Sequence, residues 1–399
     1  MRILFIHTFY RFKGGEDNLV LDEMALLQDA GFTVELLKFK NPGTFLGALL
    51  PVFFLPFNLF SFWATVKKIR KFQPDVVHVH NWHFAASPSV IVACHFCKTP
   101  VVLSLHNYRL ICPSGTLLHN GELFLDSITK KFPWKGVRLG VYRDSVIQTF
   151  WLAFTVYLHK KLKTWQKVSA YIVNSEFELK VFMQSTLGVP KNKFSLKNNS
   201  IPDPSFEKEI KRNDHFLFIG RFVSEKGVKV LLEAFSKAPF KLVIYGYGPM
   251  DQEVRNSTRL HPNISYLGAL PHDKLSEELR NCSALVFPSI WYEGMPLTLL
   301  HAFSTGTPII ASNIGAMSFM IEDHHNGLHF RMGDATDLAQ KLEYWNNLPE
   351  TEKEAYGLRS RKTYEDGYTP EGNLKSLRSV YEGAKNGVAC NLDYYNSYQ

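Results

Sequence analysis

The chain has 399 residues, of which 45% are hydrophobic and 21% are charged, and its formal net charge is +8. This composition is typical of a globular protein with two or three domains, and it excludes the disordered and collagen-like classes. The five cysteines are odd in number and widely spaced, which argues against a disulfide framework and favours a reducing cytoplasm. The positive charge favours an anionic partner, either a phosphate-bearing ligand or an acidic membrane surface, and it is too dispersed to predict nucleic-acid binding.

The first half of the chain alternates short apolar runs with helical patterns. The predicted strands are Ile3–His7, Val34–Phe39, Val76–His80, Val101–Leu105 and Ala170–Val173, and the predicted helices between them are Asn18–Asp29, Phe60–Lys71 and Ser87–Phe96. Continuous apolar strands that alternate with helices predict a parallel sheet covered on both faces. No signal peptide is expected, because polar residues follow at once after the first short run.

The same pattern restarts after residue 200. The predicted strands are Phe216–Phe222, Lys241–Tyr245, Ile264–Leu267, Ala284–Pro288 and Pro308–Ala311, and the predicted helices are Gly227–Ser236, Asp251–Thr258, Asp273–Asn281 and Pro296–Ser304. The sequence therefore predicts an α/β protein with two Rossmann-like, doubly wound parallel-sheet domains that face a cleft, at residues 1–200 and 201–368. A C-terminal helix and tail at 369–399 are expected to pack back on the N-terminal domain.

Ligands of open parallel sheets bind beyond the carboxyl ends of the strands, so the residues that follow each predicted strand are candidates for the site. Gly14 and Gly15 follow the first strand and precede a helix, where they would let the backbone approach a phosphate. A simple tight turn explains this pair equally well. His106 follows the fourth strand and can hydrogen-bond a polar ligand, although a satisfied loop histidine is an equal alternative.

Two groups of residues have a spacing that is also found in metal sites. His78 and His80 alternate onto one face of a strand, but no carboxylate cluster stands near them in the sequence. Cys94 and Cys97 have the Cys-x-x-Cys spacing, but they lie in an apolar run that is typical of a buried helix. No metal site is predicted from either group.

The second half carries the phosphate-binding pattern. Gly220 and Arg221 end a strand, and Lys226 opens the next helix, so that both cations converge at a helix N-terminus as a diphosphate requires. Gly246 and Gly248 follow the next strand, and their lack of side chains permits a close approach by a planar group or a sugar.

The stretch Phe287–Ala302 is the most specific part of the sequence. Glu293 lies in the loop after a strand and can accept hydrogen bonds from sugar hydroxyls. Gly294 and Met295 present backbone amides, and Pro296 suits the first turn of a helix. These amides can hold the carboxyl or phosphate side of a ligand.

Taken in order, these elements resemble glycosyltransferase family 4 over nearly the full length of the chain. The matching elements are Gly14-Gly15-Glu16, His78-Val79-His80-Asn81, His106-Asn107, Asn174-Ser175, the linker 198–201, Gly220-Arg221, Glu225-Lys226-Gly227, Gly246-Tyr247-Gly248-Pro249, Glu293-Gly294-Met295-Pro296, Gly306-Thr307-Pro308 and Asn326-Gly327-Leu328. The resemblance implies the GT-B fold and a retaining transfer from a nucleoside diphosphate sugar, with no obligatory metal and no other cofactor. It also implies front-side attack, in which the leaving phosphate assists deprotonation of the acceptor.

The resemblance assigns roles to individual residues. It implies that Arg221 and Lys226 hold the diphosphate, that Gly15 approaches it, and that His106 and Glu293 contact the donor sugar. These two cations, His106 and Glu293 form the expected catalytic set, because positive charge at the leaving group would stabilise the transition state.

One position departs from the family pattern. His301 stands where the family has a second glutamate that is expected to hold the ribose hydroxyls, and an imidazole cannot accept two hydrogen bonds as a carboxylate does. His301 is therefore expected to contact the nucleotide with altered affinity. A non-catalytic partner protein that binds nucleotide sugars stays an alternative for this reason, and a GT-B nucleotide-sugar epimerase is a second one.

Two apolar segments, Gly43–Val66 and Val146–Leu158, bear on the acceptor. The first is long enough to span a bilayer, but prolines interrupt it and it lies between two strands of one sheet, so a spanning helix is rejected. Lysines follow the second segment at 160, 161 and 163, and apolar aromatic residues beside lysines predict peripheral contact with an anionic membrane surface, with a long core helix as the alternative. The expected acceptor is a lipid-linked or surface-polysaccharide intermediate, and the expected location is cytoplasmic, on the inner face of the cell membrane.

Overall fold

The computed structural model describes residues 1–9, 15–41, 54–206 and 212–388. The chain forms two units. Unit 1 comprises Met1–His119, Phe124–Asn198 and Asn373–Gln399, and unit 2 comprises Asn120–Leu123 and Asn199–Gly372.

Unit 1 contains a six-stranded parallel sheet. Its strands are β1 (Arg2–Phe9), β2 (Thr33–Lys40), β3 (Val76–Asn81), β4 (Val101–Ser104), β7 (Ala170–Val173) and β8 (Phe194–Leu196), in the order β2-β1-β3-β4-β7-β8. Between β4 and β7 in the sequence, β5 (Leu118–His119) and β6 (Glu122–Leu123) pair with each other in a separate two-stranded sheet. The five strands predicted for this half are confirmed, and β8 was not predicted, because three residues give too short a pattern.

Helices cover this sheet. They are α1 (Gly15–Asp29), α2 (Leu59–Phe72), α3 (Ser89–Phe96), α4 (Trp134–Leu139), α5 (Val146–Lys161), α6 (Glu176–Gln184) and α14 (Pro370–Asn386). Side-chain caps fix several starts: the Asn58 side chain accepts hydrogen bonds from two amides at the start of α2, and Ser145 accepts one from Gln148 at the start of α5. From the far end of the chain, Leu377 and Tyr381 of α14 join the core formed by Ile3 and Phe5.

Unit 2 contains a second six-stranded parallel sheet. Its strands are β9 (Phe216–Ile219), β10 (Leu242–Tyr245), β11 (Ile264–Tyr266), β12 (Ala284–Phe287), β13 (Ile309–Ser312) and β14 (Gly327–Phe330), in the order β11-β10-β9-β12-β13-β14. Its helices are α7 (Val228–Lys237), α8 (Asp251–Leu260), α9 (Leu275–Asn281), α10 (Leu297–Ser304), α11 (Met317–Met320), α12 (Ala335–Asn347) and α13 (Glu350–Gly367).

Both faces of the second sheet are buried. Phe216 and Phe218 of β9 join one core cluster and Leu217 joins the other, as the alternation of side chains along a strand requires. The prediction of two doubly wound parallel sheets is therefore confirmed. The sequence did not predict β14, α12 or α13.

Candidate functional site

The strand order of unit 2 reverses between β9 and β12. The chain runs outward from β9 through β10 to β11, and then returns to place β12 on the other side of β9. Loops that leave the carboxyl ends of such neighbouring strands diverge and open a crevice for ligands. The loops that follow β9 and β12 carry the motifs that the sequence singled out.

An ion pair joins these two loops. Lys226 Nζ lies 2.6 Å from Glu293 Oε1, and the two side chains are 16% and 7% exposed. The Ser289 hydroxyl donates to the same carboxylate oxygen at 2.8 Å. The Lys226 ammonium also lies over the rings of Phe287 and Trp291, at 5.3 and 5.7 Å from their centroids. The structure thus brings the predicted residues Lys226 and Glu293 into direct contact, with one Glu293 oxygen engaged by two donors.

Gly227 makes this contact possible. Its φ of +69° lies in the left-handed region, and a Cβ there would come within 1.8 Å of the Pro288 carbonyl oxygen. The loop after β9 can therefore lie directly against the loop after β12. Arg221, earlier in the first of these loops, is exposed and forms no ion pair with any residue in the described ranges.

Gly246 and Gly248 have a packing role that the sequence did not predict. A Cβ on Gly246 would lie 1.9 Å from the Gly220 carbonyl oxygen, and one on Gly248 would lie 2.5 Å from that of Phe222. Backbone hydrogen bonds join the two loops, because Gly220 donates to Tyr245 and Phe222 donates to Tyr247. These glycines therefore allow close contact between two loops of the protein itself, whether or not a ligand also approaches them.

The residues after Glu293 lead into α10. Gly294 is half-buried, Met295 and Pro296 are buried, and the Met295 sulfur accepts a hydrogen bond from the Asn199 amide at 3.2 Å. Pro296 precedes the first residue of α10 and has no capping side chain. The first amides of a helix have no intrahelical acceptor, and with the helix dipole they favour an anion.

His301 lies one turn into α10 and is half-buried. Burial, together with the nearby His272, lowers the pKa of His301 to about 4, so its imidazole is neutral at pH 7. The ring of His272 lies edge-on to it at 6.0 Å between centroids. Among the described residues, no carboxylate forms an ion pair with His301.

Unit 1 has its own reversal of strand order, between β1 and β3. Gly15 is the first residue of α1 and is exposed, whereas Gly14 lies outside the described residues. Close to the end of β1, His7 Nε2 lies 2.8 Å from Asp17 Oδ1, and both side chains are buried. This contact ties the start of α1 to β1.

His106 lies two residues beyond β4 and rests on a buried polar cluster. Its Nε2 lies 3.1 Å from His80 Nδ1, and the two rings are stacked. His80 Nε2 in turn lies 3.5 Å from Glu23 Oε2, and the Lys197 ammonium donates to the other oxygen of this carboxylate. Burial is the largest cause that lowers the pKa of His106, which falls to about 4. A neutral His106 therefore has a fixed hydrogen bond on one nitrogen and offers its other nitrogen to a ligand.

The absence of a carboxylate near His78 and His80 in the sequence does not hold in the fold. A carboxylate does stand beside the two histidines of β3, and possible ligand atoms of Glu23, His78 and His80 lie within 4.8 Å of one another. However, both ring nitrogens of His78 are already 2.8 Å from hydroxyl oxygens, and a cation here would meet the Lys197 ammonium. The arrangement fits a buried ion pair with hydrogen-bonded histidines better than a metal site.

The sequence missed Glu23 and Lys197, which are 174 positions apart. Their side chains are only 3% and 2% exposed, and a charged pair so deeply buried is rare. The one indication of this pair in the sequence was the position of Lys197, directly after the short strand β8. Asn174-Ser175, in contrast, is a helix-capping motif: Ser175 caps α6, and Glu178 accepts a hydrogen bond from the Asn174 amide at 2.7 Å.

The first apolar segment is only partly described, because residues 43–53 of Gly43–Val66 lie outside the described ranges. Within those ranges, no helix is both long and apolar enough to span a membrane. Phe60 and Trp63 of α2 are 83% and 55% exposed, and Ile147 of α5 is 79% exposed. These side chains form apolar surface on unit 1.

Two family models match adjoining parts of the chain. "Glycosyltransferase Family 4" matches residues 13–202, and "Glycosyl transferases group 1" matches residues 202–361. The two matches meet at the start of the contiguous part of unit 2. Together they cover the residues of both candidate regions.

Curated relatives match over shorter stretches. The O-antigen chain mannosyltransferase C of Escherichia coli is 28% identical over 220 residues, which is 53% of this chain and 58% of the relative. The capsular polysaccharide biosynthesis glycosyltransferase CapM of Staphylococcus aureus is 26% identical over 208 residues, or 49% of this chain and 53% of the relative. The chain thus spans less than two thirds of the length of each of these relatives.

Solved structures match over nearly the full length. Anabaena Alr3699/HepE in complex with UDP and glucose superposes with a TM-score of 0.65 at 15% identity, covering 96% of this chain and 99% of that one. At this identity the similarity shows the fold alone, and it confirms the predicted fold class.

Proposed function

The chain belongs to the GT-B glycosyltransferases of family 4 type, and we propose that it transfers a hexose-type sugar, with retention of configuration, from a nucleoside diphosphate sugar to a lipid-linked or surface-polysaccharide acceptor. The observation that carries this proposal is the Lys226–Glu293 contact at the strand-order reversal of unit 2, with Arg221 earlier in the loop that bears Lys226. A diphosphate needs cationic donors and the sugar attached to it needs a hydrogen-bond acceptor, and this contact places one of each at the same point.

Lys226 and Arg221 bind the diphosphate, and the N-terminus of α10 adds amide donors and a positive dipole. Glu293 accepts from hydroxyls of the donor sugar through its second oxygen, because Lys226 and Ser289 both engage Oε1. Holding one oxygen in this way fixes the orientation of the carboxylate. In unit 1, neutral His106 makes one hydrogen bond to a sugar hydroxyl.

The reaction proceeds by front-side attack. The acceptor oxygen forms a bond to the anomeric carbon on the face from which the diphosphate leaves, and the bond from that carbon to the phosphate oxygen breaks. The hydroxyl proton passes to the leaving phosphate. Lys226 and Arg221 stabilise the negative charge that develops on the diphosphate, which is the protein's main contribution to the rate.

The acceptor class rests on chemistry found in unit 1 and on the relatives, whose names place them in O-antigen and capsular polysaccharide synthesis. The exposed aromatic residues of α2 and the lysines that end α5 suit a protein that contacts an anionic membrane surface without crossing it. We therefore assign the protein to a peripheral position on the cytoplasmic face of the cell membrane.

Calorimetry with nucleoside diphosphates tests the site. Arg221→Ala and Lys226→Ala should each weaken binding by about 1.5–3 kcal/mol, the range for charged hydrogen bonds. Lys229→Ala is the matched control, because Lys229 is an exposed lysine of α7, three residues beyond Lys226. Unchanged affinity in both site variants would overturn the assignment.

A turnover assay separates the proposed transfer from its rivals. Release of nucleoside diphosphate that depends on an added acceptor supports glycosyl transfer. Conversion of the nucleotide sugar to an epimer without acceptor would identify an epimerase instead. Nucleotide binding without any turnover, across a panel of nucleotide sugars and polyprenyl-phosphate-linked acceptors, would identify a non-catalytic binding protein.

A further inference from the structure

Unit 1 contains a basic cavity that has no part in the site described above. Lys130 and Lys131 line one side, Lys160 of α5 lines another, and Arg109, from the loop after β4, also borders it. Hydrogen bonds from Thr186 to the carbonyl oxygens of Ile128 and Lys130 hold the lysine-bearing turn against the end of α6. The cavity is therefore built from four separate parts of the sequence.

The basic side chains of this cavity have no acidic partner among the described residues that line it. None of the residues that line it is acidic, and no ion pair is recorded for its three lysines within the described part of the chain. Partial burial, together with the charges of Lys131 and Lys161, lowers the pKa of Lys160. The buried Nε of Arg109 has no hydrogen-bond partner among the described residues. Like charges held together without a counter-ion favour an anionic ligand.

Apolar side chains of α5 form another part of the lining. Leu152, Val156 and Tyr157 of α5 line the cavity, and the Phe132 ring stacks edge-on against Tyr157 at 5.5 Å between centroids. Aromatic contacts continue from Phe132 to Trp134 and Phe150. On the same side of α5, the 51%-exposed Val146 lies about 20 Å from Lys160 along the helix axis.

Arg109 and Leu110 also line a second cavity, whose other walls include His80, His106 and Asn107. The basic cavity therefore adjoins the part of unit 1 that carries the proposed sugar-contacting histidine. A phosphate held in the basic cavity would share Arg109 and Leu110 with the cavity that His106 lines.

We propose that this basic cavity binds the phosphate group of a lipid-linked acceptor, with the lipid chain lying along the apolar face of α5. The inference rests on the proposed function for the identity of the ligand as an acceptor. The cavity itself requires only an anionic headgroup attached to an apolar chain. Lys130, Lys131 and Lys160 bind the phosphate, and Leu152 and Val156 contact the first part of the chain.

Calorimetry of the full chain with decyl phosphate below its critical micelle concentration tests this. We expect saturable binding that Lys131→Ala and Lys160→Ala each weaken by about tenfold or more, whereas Lys160→Arg keeps most of the affinity. Lengthening the alkyl chain should tighten binding by up to about fourfold for each buried methylene. Lys167→Ala is the control, because it removes the same charge from an exposed position of unit 1 that does not line the cavity.

Four results would overturn the proposal. These are the absence of decyl phosphate binding, an equal loss in Lys167→Ala, equal affinity for inorganic pyrophosphate, and equal affinity for the uncharged decyl maltoside. UDP binding, measured in the same variants, is expected to stay unchanged. If the chain bound no nucleotide at all, the proposed function would fail, while the decyl phosphate result would still decide whether the cavity binds a phosphate-bearing amphiphile.

Discussion

Replacing His301 by glutamate tests the one position at which this chain departs from the family pattern. The neutral imidazole offers a ribose a single acceptor nitrogen, whereas a carboxylate can accept from both hydroxyls. A neutral hydrogen bond contributes about 0.5–1.5 kcal/mol and a charged one about 1.5–3 kcal/mol. His301→Glu should therefore tighten binding of a ribonucleoside diphosphate by about 1–1.5 kcal/mol, which is about five- to tenfold.

The surroundings of His301 decide whether this gain is realised. The position is half-buried, so the introduced carboxylate loses part of its hydration. The exposed ring of His272, 6.0 Å away between centroids, is a polar neighbour that partly offsets this loss.

Calorimetry with UDP and with its 2′-deoxyribose analogue provides the measurement, and His301→Gln controls for the change of shape without charge. The variant should bind UDP more tightly and the deoxy analogue with a much smaller gain. Weaker binding of both ligands would mean that His301 already has a compensating partner. No change with either ligand would show that His301 does not reach the nucleotide.

Three further variants or conditions give independent tests. Glu23→Met and Lys197→Met should each destabilise the protein by about 3–5 kcal/mol in thermal unfolding, because each leaves a buried charge unpaired. The double variant should be clearly more stable than either single variant, and a double variant as unstable as the singles would contradict this. Burial raises the pKa of Glu178 to about 8 from its ordinary value of 4.5, so between these two values the folded protein keeps a proton that the unfolded chain has lost. Stability therefore falls as the pH rises from about 4.5 to about 8, and it levels off above that. The melting temperature of Glu178→Gln should increasingly exceed that of the parent chain between about pH 5 and pH 8, and a constant difference over this range would disprove the shift. Salt at about 1 M should release the protein from vesicles of anionic lipid, since it shortens the screening length to about 3 Å, whereas retention through both salt and carbonate washing would indicate insertion.

Sequence reasoning located Lys226 and Glu293 because both follow predicted strands, and the carboxyl ends of parallel strands meet at one edge of a sheet. It could not predict their direct contact, which depends on the left-handed turn at Gly227 and the clearance it leaves for Pro288.

The roles of other residues could not be predicted from the sequence, for physical reasons. Glu23 stands at helical spacing from the buried Val20 and Leu27, but acidic side chains are rarely buried, and only the folded chain shows that Lys197 lies against it. Gly246 and Gly248 illustrate the opposite difficulty. A glycine that permits close approach to a ligand and one that permits close approach of another loop look the same in a sequence, because both merely lack a Cβ.

The return of α14 to unit 1 has a consequence for how the protein is made. Leu377, Val380 and Tyr381 complete a core whose other members include Ile3 and Phe5, and the Tyr381 hydroxyl bonds His78 at 2.8 Å. The ribosome synthesises Ile3 and Phe5 early in translation and α14 late, with nearly all of unit 2 in between. The half that emerges first therefore closes last, and until α14 has left the exit tunnel, its partners in the core of unit 1 stay uncovered.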